Sequence, residues 1–176
     1  IEELLFFIRG DTDTTKLSNK GIKIWEGNTN REFLEKMGLK YKVGEMGPMY
    51  GYQWRFFNKP YHNKVGGLDQ FKQLIKDINE NPNSRRLLMT DYNPLQVHQG
   101  VLYPCHSIIL QFYVNGNKLS VKMYQRSADL FLGVPFNIAS TTLLLYIIAK
   151  LTNKEPQNVI ITFGDCHIYE EHFEQV

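Results

Sequence analysis

The sequence predicts a mixed α/β (α+β) fold in which one large mixed β-sheet packs on helices. Three observations lead to this prediction: an amphipathic helical pattern, a β-hairpin signal and a long apolar segment after the hairpin. A chain of 176 residues with 43% hydrophobic content can bury one substantial core. We therefore expect one domain over residues 1–176.

The first part of the chain predicts two helices joined by polar loops. Residues 2–8 are typical of the end of a buried helix that Gly10 stops, and residues 11–20 are typical of a loop. The polar residues 28–31 predict the cap of a short helix that ends at Gly38.

An irregular stretch and a longer helix follow. Three glycines and Pro48 predict irregular backbone over residues 44–54. Apolar residues then repeat at three- and four-residue spacings on one helical face that ends at residues 81–83. These residues are Leu68, Phe71, Leu74, Ile75 and Ile78.

The second half of the chain predicts a sheet and a buried helix. Two of its strands flank Asn115-Gly116, a strong hairpin signal. Residues 136–151 are apolar nearly all round, which predicts a central buried helix. The predicted strands are residues 86–90, 107–114, 118–125 and 159–163.

Composition argues against two functional classes. Charged residues make up 22% of the chain and the net charge is +2, whereas a dedicated nucleic-acid binder would show a strongly basic face. The apolar stretch 143–151 is interrupted by Lys150 and is far too short to span a bilayer. No secretory signal is visible. We expect a cytoplasmic protein.

Each of the two cysteines precedes a histidine, which raises the question of a zinc site. The pairs are Cys105-His106 and Cys166-His167. Both occur in strand-like stretches, where neighbouring side chains point to opposite faces. Neither shows the Cys-x-x-Cys spacing of structural zinc sites. We expect no metal site.

Cys105 is the candidate nucleophile. A reactive cysteine needs cationic groups that stabilise its thiolate. The strand after the hairpin delivers Arg126, and strands joined by a tight turn are neighbours, so Arg126 can return close to Cys105. The alternative is that Cys105 is a small buried hydrophobic residue.

Other polar residues form candidate ligand contacts. Arg85 and Arg86 flank a strand, where guanidinium groups could bind phosphate bidentately or be solvated. Asn137 could cap the buried helix or contact a base edge, since its amide has donors and an acceptor. His167 and Tyr169 lie two residues apart in a strand, face one side, and could bind a sugar hydroxyl.

Together these segments closely resemble the thymidylate synthase family. The resemblance runs through nearly the whole chain in the family's order. Its longest matching block is the sixteen-residue segment 124–139. The other matching segments are residues 3–5, 24–25, 47–51, 53–55, 84–86, 104–106 and 164–169.

The resemblance implies a fold, an assembly and a reaction. It implies the thymidylate synthase fold in a homodimer packed sheet to sheet, with residues 1–176 as a catalytic core that lacks the family's N-terminal and C-terminal segments. It implies reductive methylation of dUMP to dTMP. The carbon and hydride donor would be 5,10-methylenetetrahydrofolate, giving dihydrofolate, and Cys105 would form a covalent adduct at carbon 6 of uracil.

The resemblance also implies residue roles. Catalytic roles fall to Cys105, Glu3, Arg126, Asn137 and Tyr50. dUMP would be bound by Arg85, Arg86, Arg126, Ser127, Ala128, Asp129, Asn137, His167 and Tyr169, with Arg85 and Arg86 supplied by the second subunit. The folate would be bound by Asp129, Trp25 and Asn28, and Tyr50 would line the same side.

Three alternatives stay open at this point. A sister enzyme, deoxycytidylate hydroxymethylase, uses the same fold on cytosine, where an aspartate would suit the base better than Asn137 does. A non-catalytic nucleotide-binding or partner-binding protein could keep the fold, although it need not retain the thiol of Cys105. Fusion to a dihydrofolate reductase domain is the third. We interpret Cys166 as structural.

Overall fold

The computed structural model describes residues 1–63 and 66–176. The chain divides into two compact units, residues 1–71 with 91–104 and residues 72–90 with 105–176. The mixed α/β fold is confirmed, with a four-stranded mixed sheet and helices.

The first unit is helical. Its helices are α1 (Glu2–Arg9), α2 (Thr15–Ser18), α3 (Glu26–Thr29), α4 (Arg31–Lys36) and α5 (Gly51–Phe56), and helix α6 (Gln70–Glu80) begins in it and continues into the second unit. A short 3₁₀ helix, Val97–Gln99, lies in the segment 91–104.

Glycines and an asparagine cap define the ends of these helices as the sequence predicts. Gly10, with φ 72°, ends α1 in the left-handed conformation that glycine adopts at little cost. The side chain of Asn30 accepts a hydrogen bond from the backbone N–H of Phe33 at 2.8 Å and so caps α4. Gly38, with φ 68°, follows the end of α4.

Two loop predictions in this unit are partly wrong. Residues 11–20 contain α2, because Asp13 Oδ1 accepts hydrogen bonds from the N–H and hydroxyl of Thr15 and starts a helical turn. The stretch 44–54 is irregular only as far as Tyr50, since α5 begins at Gly51. The prediction for α6 is confirmed, although Leu68 lies before the helix and is 52% exposed.

One carboxyl group in this unit is buried without a partner. Asp91 is 1% exposed, and neither of its carboxylate oxygens has a hydrogen-bond partner in another described residue. Burial raises the pKa of Asp91 well above its ordinary value.

The second unit contains the sheet. Its strands are β1 (Leu88–Met89), β2 (Ile109–Asn115), β3 (Lys118–Asp129) and β4 (Glu155–His167), in the spatial order β1-β2-β3-β4. β1 and β3 run antiparallel to β2, and β4 runs parallel to β3. The hairpin is confirmed: Asn115 pairs with Lys118, and Gly116 has φ 59° in the turn. β1 is shorter and β4 longer than the sequence predicts.

Helix α7 (Gly133–Leu151) connects β3 to β4 and packs against both strands. The prediction that it is buried all round is wrong. Leu144, Leu145 and Ile148 are buried, whereas Phe136 is 71% exposed and Tyr146 is 58% exposed. By length and composition alone α7 could cross a membrane. This is weak evidence, because core helices of soluble proteins meet the same criteria.

The two faces of the sheet differ in burial. Leu110, Phe112, Val121 and Met123 are buried on one face, as the alternation of side chains along a strand requires. The opposite face is open and carries a larger set of apolar and polar side chains. That open face includes Leu88, Ile109, Gln111, Tyr113, Lys122, Tyr124 and Ile160.

Candidate functional site

The candidate nucleophile lies beside the end of β3. The carbonyl oxygen of Cys105 accepts hydrogen bonds from the backbone N–H groups of Arg126 at 2.8 Å and Ser127 at 3.3 Å. The prediction that Arg126 returns close to Cys105 is therefore confirmed at the level of the backbone. Cys105 is half-buried and Arg126 is exposed.

The turn after Cys105 has strained backbone. Ser107 has φ 58°, which residues other than glycine rarely adopt, and its N–H donates to the sulfur of Met123 at 3.1 Å. His106 Nδ1 lies 2.9 Å from the hydroxyl oxygen of Ser107. Desolvation lowers the pKa of His106 to about 4. His106 is therefore neutral at pH 7 and does not supply a positive charge beside Cys105.

Asn137 is held by a residue that the sequence did not single out. The side-chain Nε2 of Gln125 donates to Asn137 Oδ1 at 2.9 Å and to the carbonyl of Ser127 at 3.1 Å. Gln125 is 1% exposed, so this contact is shielded from water. Asn137 lies in the second turn of α7, because the helix begins at Gly133, so the alternative that it caps the helix is wrong.

The segment between β3 and α7 is ordered by Asp129. Its Oδ1 accepts hydrogen bonds from the N–H groups of Phe131 at 3.1 Å and Leu132 at 3.2 Å. Ala128, before it, is fully buried, backbone included. The N–H of Leu130 donates to the carbonyl of His167 at 2.9 Å, which ties this segment to the end of β4.

His167 is oriented by a carboxylate. Asp165 Oδ1 lies 2.8 Å from His167 Nδ1, and the two residues lie on one face of β4. The ring of Tyr169 lies edge-on to the imidazole at a centroid distance of 5.2 Å. Because a carboxylate only accepts, Nδ1 carries the hydrogen, and in a neutral imidazole Nε2 is left as an acceptor. The sequence predicted His167 and Tyr169 on one face and missed Asp165.

Gly164 allows β4 to approach β3 closely at this point. A Cβ placed on Gly164 would lie 2.6 Å from the carbonyl oxygen of Arg126 and 2.9 Å from the hydroxyl of Tyr124. Any side chain here would push the two strands apart.

Arg85 and Arg86 precede these segments in the sequence and lie on the surface of the second unit. Both are exposed, and the N–H of Arg86 donates to the hydroxyl oxygen of Ser84 at 3.1 Å. Arg85 borders a cavity of about 680 Å³ on the open face of the sheet, together with residues such as Tyr113 and Lys122.

Three predicted residues cluster within the first unit. The indole N–H of Trp25 donates to Glu3 Oε1 at 2.8 Å. The ring of Trp25 lies edge-on to that of Tyr50 at a centroid distance of 6.0 Å. Burial raises the pKa of the Glu3 carboxyl, although the hydrogen bond from Trp25 opposes that shift. Asn28 is one helical turn along the chain, where its N–H donates to the carbonyl of Trp25 at 3.1 Å.

Tyr50 is fixed on several sides. It is 3% exposed and its ring stacks on that of Phe7 at a centroid distance of 4.9 Å. The next residue, Gly51, has no room for a side chain, because a Cβ would lie 2.1 Å from the carbonyl oxygen of Phe7. This close approach brings the start of α5 against the end of α1.

The structure thus joins the predicted residues in two groups, one in each unit. Glu3, Trp25 and Tyr50 form the first group. The second contains Cys105, Arg126, Ser127, Asp129, Asn137, His167 and Tyr169 on connected segments. Within residues 1–63 and 66–176, no group of three histidine, cysteine, aspartate or glutamate side chains could hold a metal ion.

Comparison with known proteins identifies the family. The family model described as thymidylate synthase matches residues 1–176. The chain belongs to the thymidylate synthase family. It is 48% identical over 180 residues to the thymidylate synthase of equine herpesvirus 2, an alignment that covers 99% of this chain and 62% of that protein. It is 46% identical to the human thymidylate synthase, with 99% of this chain and 57% of the human protein covered.

A relative that carries a second enzyme name is equally similar. The bifunctional dihydrofolate reductase-thymidylate synthase of Leishmania amazonensis is 48% identical over 181 residues, with 98% of this chain and 35% of that protein covered. The chain spans between 57% and 62% of the length of the two thymidylate synthases named above. Family membership accounts for the order in which the matching segments follow one another along the chain.

Proposed function

We propose that the full-length protein converts dUMP to dTMP in the cytoplasm. The co-substrate is 5,10-methylenetetrahydrofolate, which supplies the one-carbon unit and the hydride and leaves as dihydrofolate. The observation that carries this proposal is the pair of hydrogen bonds from Arg126 and Ser127 to the carbonyl of Cys105. They hold the nucleophile on the segment that, in the family resemblance, binds the nucleotide phosphate.

Cys105 starts the reaction by adding to the pyrimidine. Carbon 5 of uracil is a poor nucleophile until a group adds at carbon 6, and a thiolate can do so. The sulfur–carbon 6 bond forms while the ring double bond moves its electrons toward the 4-oxo group. Arg126 and the partner subunit's Arg85 and Arg86 bind the phosphate, because guanidinium pairs with phosphate oxygens bidentately.

Asn137 contacts the pyrimidine edge. Its Nδ2 group donates to the 4-oxo oxygen, where negative charge develops, and its Oδ1 accepts from the ring N–H. Gln125 uses only one of the two lone pairs of Oδ1, so the second remains for the ring N–H. This arrangement favours uracil over cytosine, whose 4-amino group would face an amide donor. Tighter binding of dCMP than of dUMP would contradict this assignment.

Glu3 moves protons during the reaction. Burial raises the pKa of its carboxyl toward the working pH, which is where a general acid–base is most effective. Trp25 fixes the orientation of this carboxyl through the 2.8 Å hydrogen bond. The family resemblance assigns Trp25, Asn28, Asp129 and Tyr50 to the folate side. Trp25 and Tyr50 are buried in the first unit, at 8% and 3% exposed, so they would support this side from beneath its surface.

His167 and Tyr169 bind the deoxyribose. Because Asp165 holds the hydrogen on Nδ1, Nε2 of neutral His167 accepts a hydrogen bond from a sugar hydroxyl. The phenol of Tyr169, 52% exposed, supplies a donor beside it.

The open face of the sheet is assigned to a homodimer interface. It exposes Ile109, Tyr113, Tyr124 and Ile160, at 45%, 68%, 38% and 51%. Apolar side chains collected on one open face are typical of an interaction surface. Arg85 lies at the border of this face, which is where a residue must lie to reach a second subunit.

Trapping of a covalent complex tests the reaction. The full-length protein is incubated with 5-fluoro-dUMP and 5,10-methylenetetrahydrofolate and digested for mass spectrometry. We expect the adduct on the peptide that contains Cys105 and no adduct in Cys105→Ser. Cys166→Ser is the matched control, since this exposed cysteine lies outside the proposed chemistry and its loss should leave the adduct and dTMP formation unchanged. Absence of an adduct on the wild-type protein would favour a non-catalytic binding protein.

Mixing of two inactive variants tests the shared site. Cys105→Ser and the double variant Arg85→Ala, Arg86→Ala are unfolded and refolded together. If each site takes arginines from the other subunit, heterodimers contain one intact site and recover dTMP formation. No recovery in a mixture that sedimentation shows to be dimeric would refute the assignment of Arg85 and Arg86 to the partner.

A further inference from the structure

The turn that carries Tyr50 has a backbone conformation that tyrosine rarely adopts. Tyr50 has φ 45° and ψ −112°, outside the regions that residues with a Cβ ordinarily occupy. Such a conformation persists only where surrounding contacts hold it in place. Stacking on Phe7 orients the ring, but it does not determine the backbone before and after Tyr50.

The side chain of Gln53 closes a loop around Tyr50. Its Nε2 donates to the carbonyl oxygen of Pro48 at 2.7 Å. Pro48 lies two residues before Tyr50 and Gln53 three residues after it, so this hydrogen bond spans the strained residue. Gln53 is 1% exposed, which keeps water from competing for the bond.

A buried amide network anchors Gln53 in turn. Its Nε2 also donates to Gln96 Oε1 at 3.0 Å, and its Oε1 accepts from the N–H of Asn58 at 3.3 Å. Asn93 Nδ2 donates to Gln96 Oε1 at 3.0 Å, and Gln96 Nε2 donates to the carbonyl of Lys59 at 2.6 Å. The carboxamide of Gln53 therefore cannot rotate without breaking several hydrogen bonds at once.

From these contacts we infer that Gln53 is the positioning residue for Tyr50. It holds the turn 48–51 in the conformation that places the Tyr50 ring against Phe7 and Trp25. Donation to both the Pro48 carbonyl and Gln96 Oε1 needs two N–H groups at the end of a side chain as long as glutamine. Methionine fills the space without donating, and a glutamate carboxylate only accepts. The inference rests on the proposed function, which assigns Tyr50 to the catalytic set.

Two matched variants of the full-length enzyme separate positioning from general stability. Gln53→Met removes the bond to Pro48, whereas Gln96→Met removes an amide from the same network and leaves that bond in place. We expect Gln53→Met to lower kcat about 10- to 100-fold with a KM for dUMP within about threefold, as for a misplaced reaction group. Gln96→Met should keep kcat within about threefold. Equal losses of kcat in both variants would overturn the inference.

A spectroscopic measurement follows Tyr50 directly. The protein is labelled with 3-fluorotyrosine, and the ¹⁹F resonance of Tyr50 is assigned by its loss in Tyr50→Phe. We expect this resonance to shift or broaden in Gln53→Met and to stay in place in Gln96→Met. An unchanged resonance in folded Gln53→Met would refute the positioning role.

Misfolding of Gln53→Met and inactivity of the wild-type protein would each leave the ¹⁹F comparison able to test the inference. If Gln53→Met does not fold, Gln53→Asn replaces it, because asparagine keeps a buried amide but is one methylene too short to reach Pro48. The expected and contradicting results are the same. If the wild-type protein makes no dTMP, the proposed function fails, while the ¹⁹F comparison still decides whether Gln53 positions Tyr50.

Discussion

Replacement of Asp91 by asparagine should stabilise the protein relative to the wild type, and this difference should grow as the pH rises. Asp91 is fully buried, both of its carboxylate oxygens lack a partner in another described residue, and burial raises its pKa well above the ordinary value of 3.8. Between these two pKa values the folded state keeps a proton that the unfolded state has released. The stability of the wild-type protein therefore falls with rising pH across this window.

The size of the effect follows from proton linkage. One proton bound in the folded state and absent from the unfolded state changes the free energy of unfolding by about 1.4 kcal/mol per pH unit. Between pH 5 and pH 7 the wild-type protein should therefore lose stability relative to Asp91→Asn, by at most about 3 kcal/mol. The asparagine side chain is buried at the same place, but it does not titrate. The free-energy cost of burying it is therefore the same at every pH.

Urea denaturation at pH 5, 6 and 7 measures this difference. The free energy of unfolding of Asp91→Asn minus that of the wild type should increase with pH. Glu174→Gln, which removes one carboxylate at an exposed position, serves as the control for the loss of an acidic side chain. A constant difference between Asp91→Asn and wild type over this range would show that Asp91 ionises in the folded state as it does in the unfolded chain.

Three further substitutions test contacts in the second unit. Gln125→Met removes the 2.9 Å hydrogen bond to the Asn137 amide, which we propose contacts the pyrimidine edge, and should lower kcat/KM for dUMP about 2- to 13-fold in steady-state assays; an unchanged value would contradict that role. Asp165→Asn should weaken dUMP binding several-fold in calorimetry but leave 2′,3′-dideoxyuridine monophosphate unaffected, because only dUMP has the hydroxyl that we propose His167 accepts from; equal weakening of both ligands would argue against it. Gly164→Ala places a Cβ 2.6 Å from a carbonyl of β3, where ordinary contact begins near 3.4 Å, and should cost about 1–3 kcal/mol in urea denaturation. Gly27→Ala, which meets nothing within 4 Å, is its control, and equal stability of the two variants would refute the steric argument.

Local sequence signals predicted the helix ends and the hairpin turn, where residues with distinctive backbone preferences occur. Gly10 and Gly38 ended helices because glycine adopts positive φ at little cost, and Asn115-Gly116 formed the hairpin turn. The pattern around Asp13 gave no such signal. A two-residue hydrogen bond between Asp13 and Thr15 begins α2 where polarity alone suggested a loop.

Burial depends on what covers an element, which periodicity cannot show. Residues 136–151 are apolar on most sides, yet Phe136 and Tyr146 are exposed on α7 within the described structure. The apolar run identified the helix correctly and could not indicate which of its faces the sheet covers.

The sequence singled out residues whose own side chains carry recognisable chemistry and passed over residues that act through another side chain. Cys105, Arg126 and Asn137 stood out because thiol, guanidinium and amide groups carry recognisable chemistry. Gln125 and Asp165 did not, because a single polar residue within a strand carries no distinctive signal. Their roles depend on distances to Asn137 and His167 that only the fold provides.

Alternation along β3 has a consequence for how the chain must fold. Gln125 points into the core while Arg126, the next residue, points outward, so a one-residue shift in the pairing of β2 with β3 would exchange them. That pairing is set by the two-residue connection at Gly116, nine residues before Gln125. An insertion of a single residue there would bury a guanidinium and expose an amide. The geometry of a distant hairpin thus decides which of these two side chains lies in the core and which lies on the open face of the sheet.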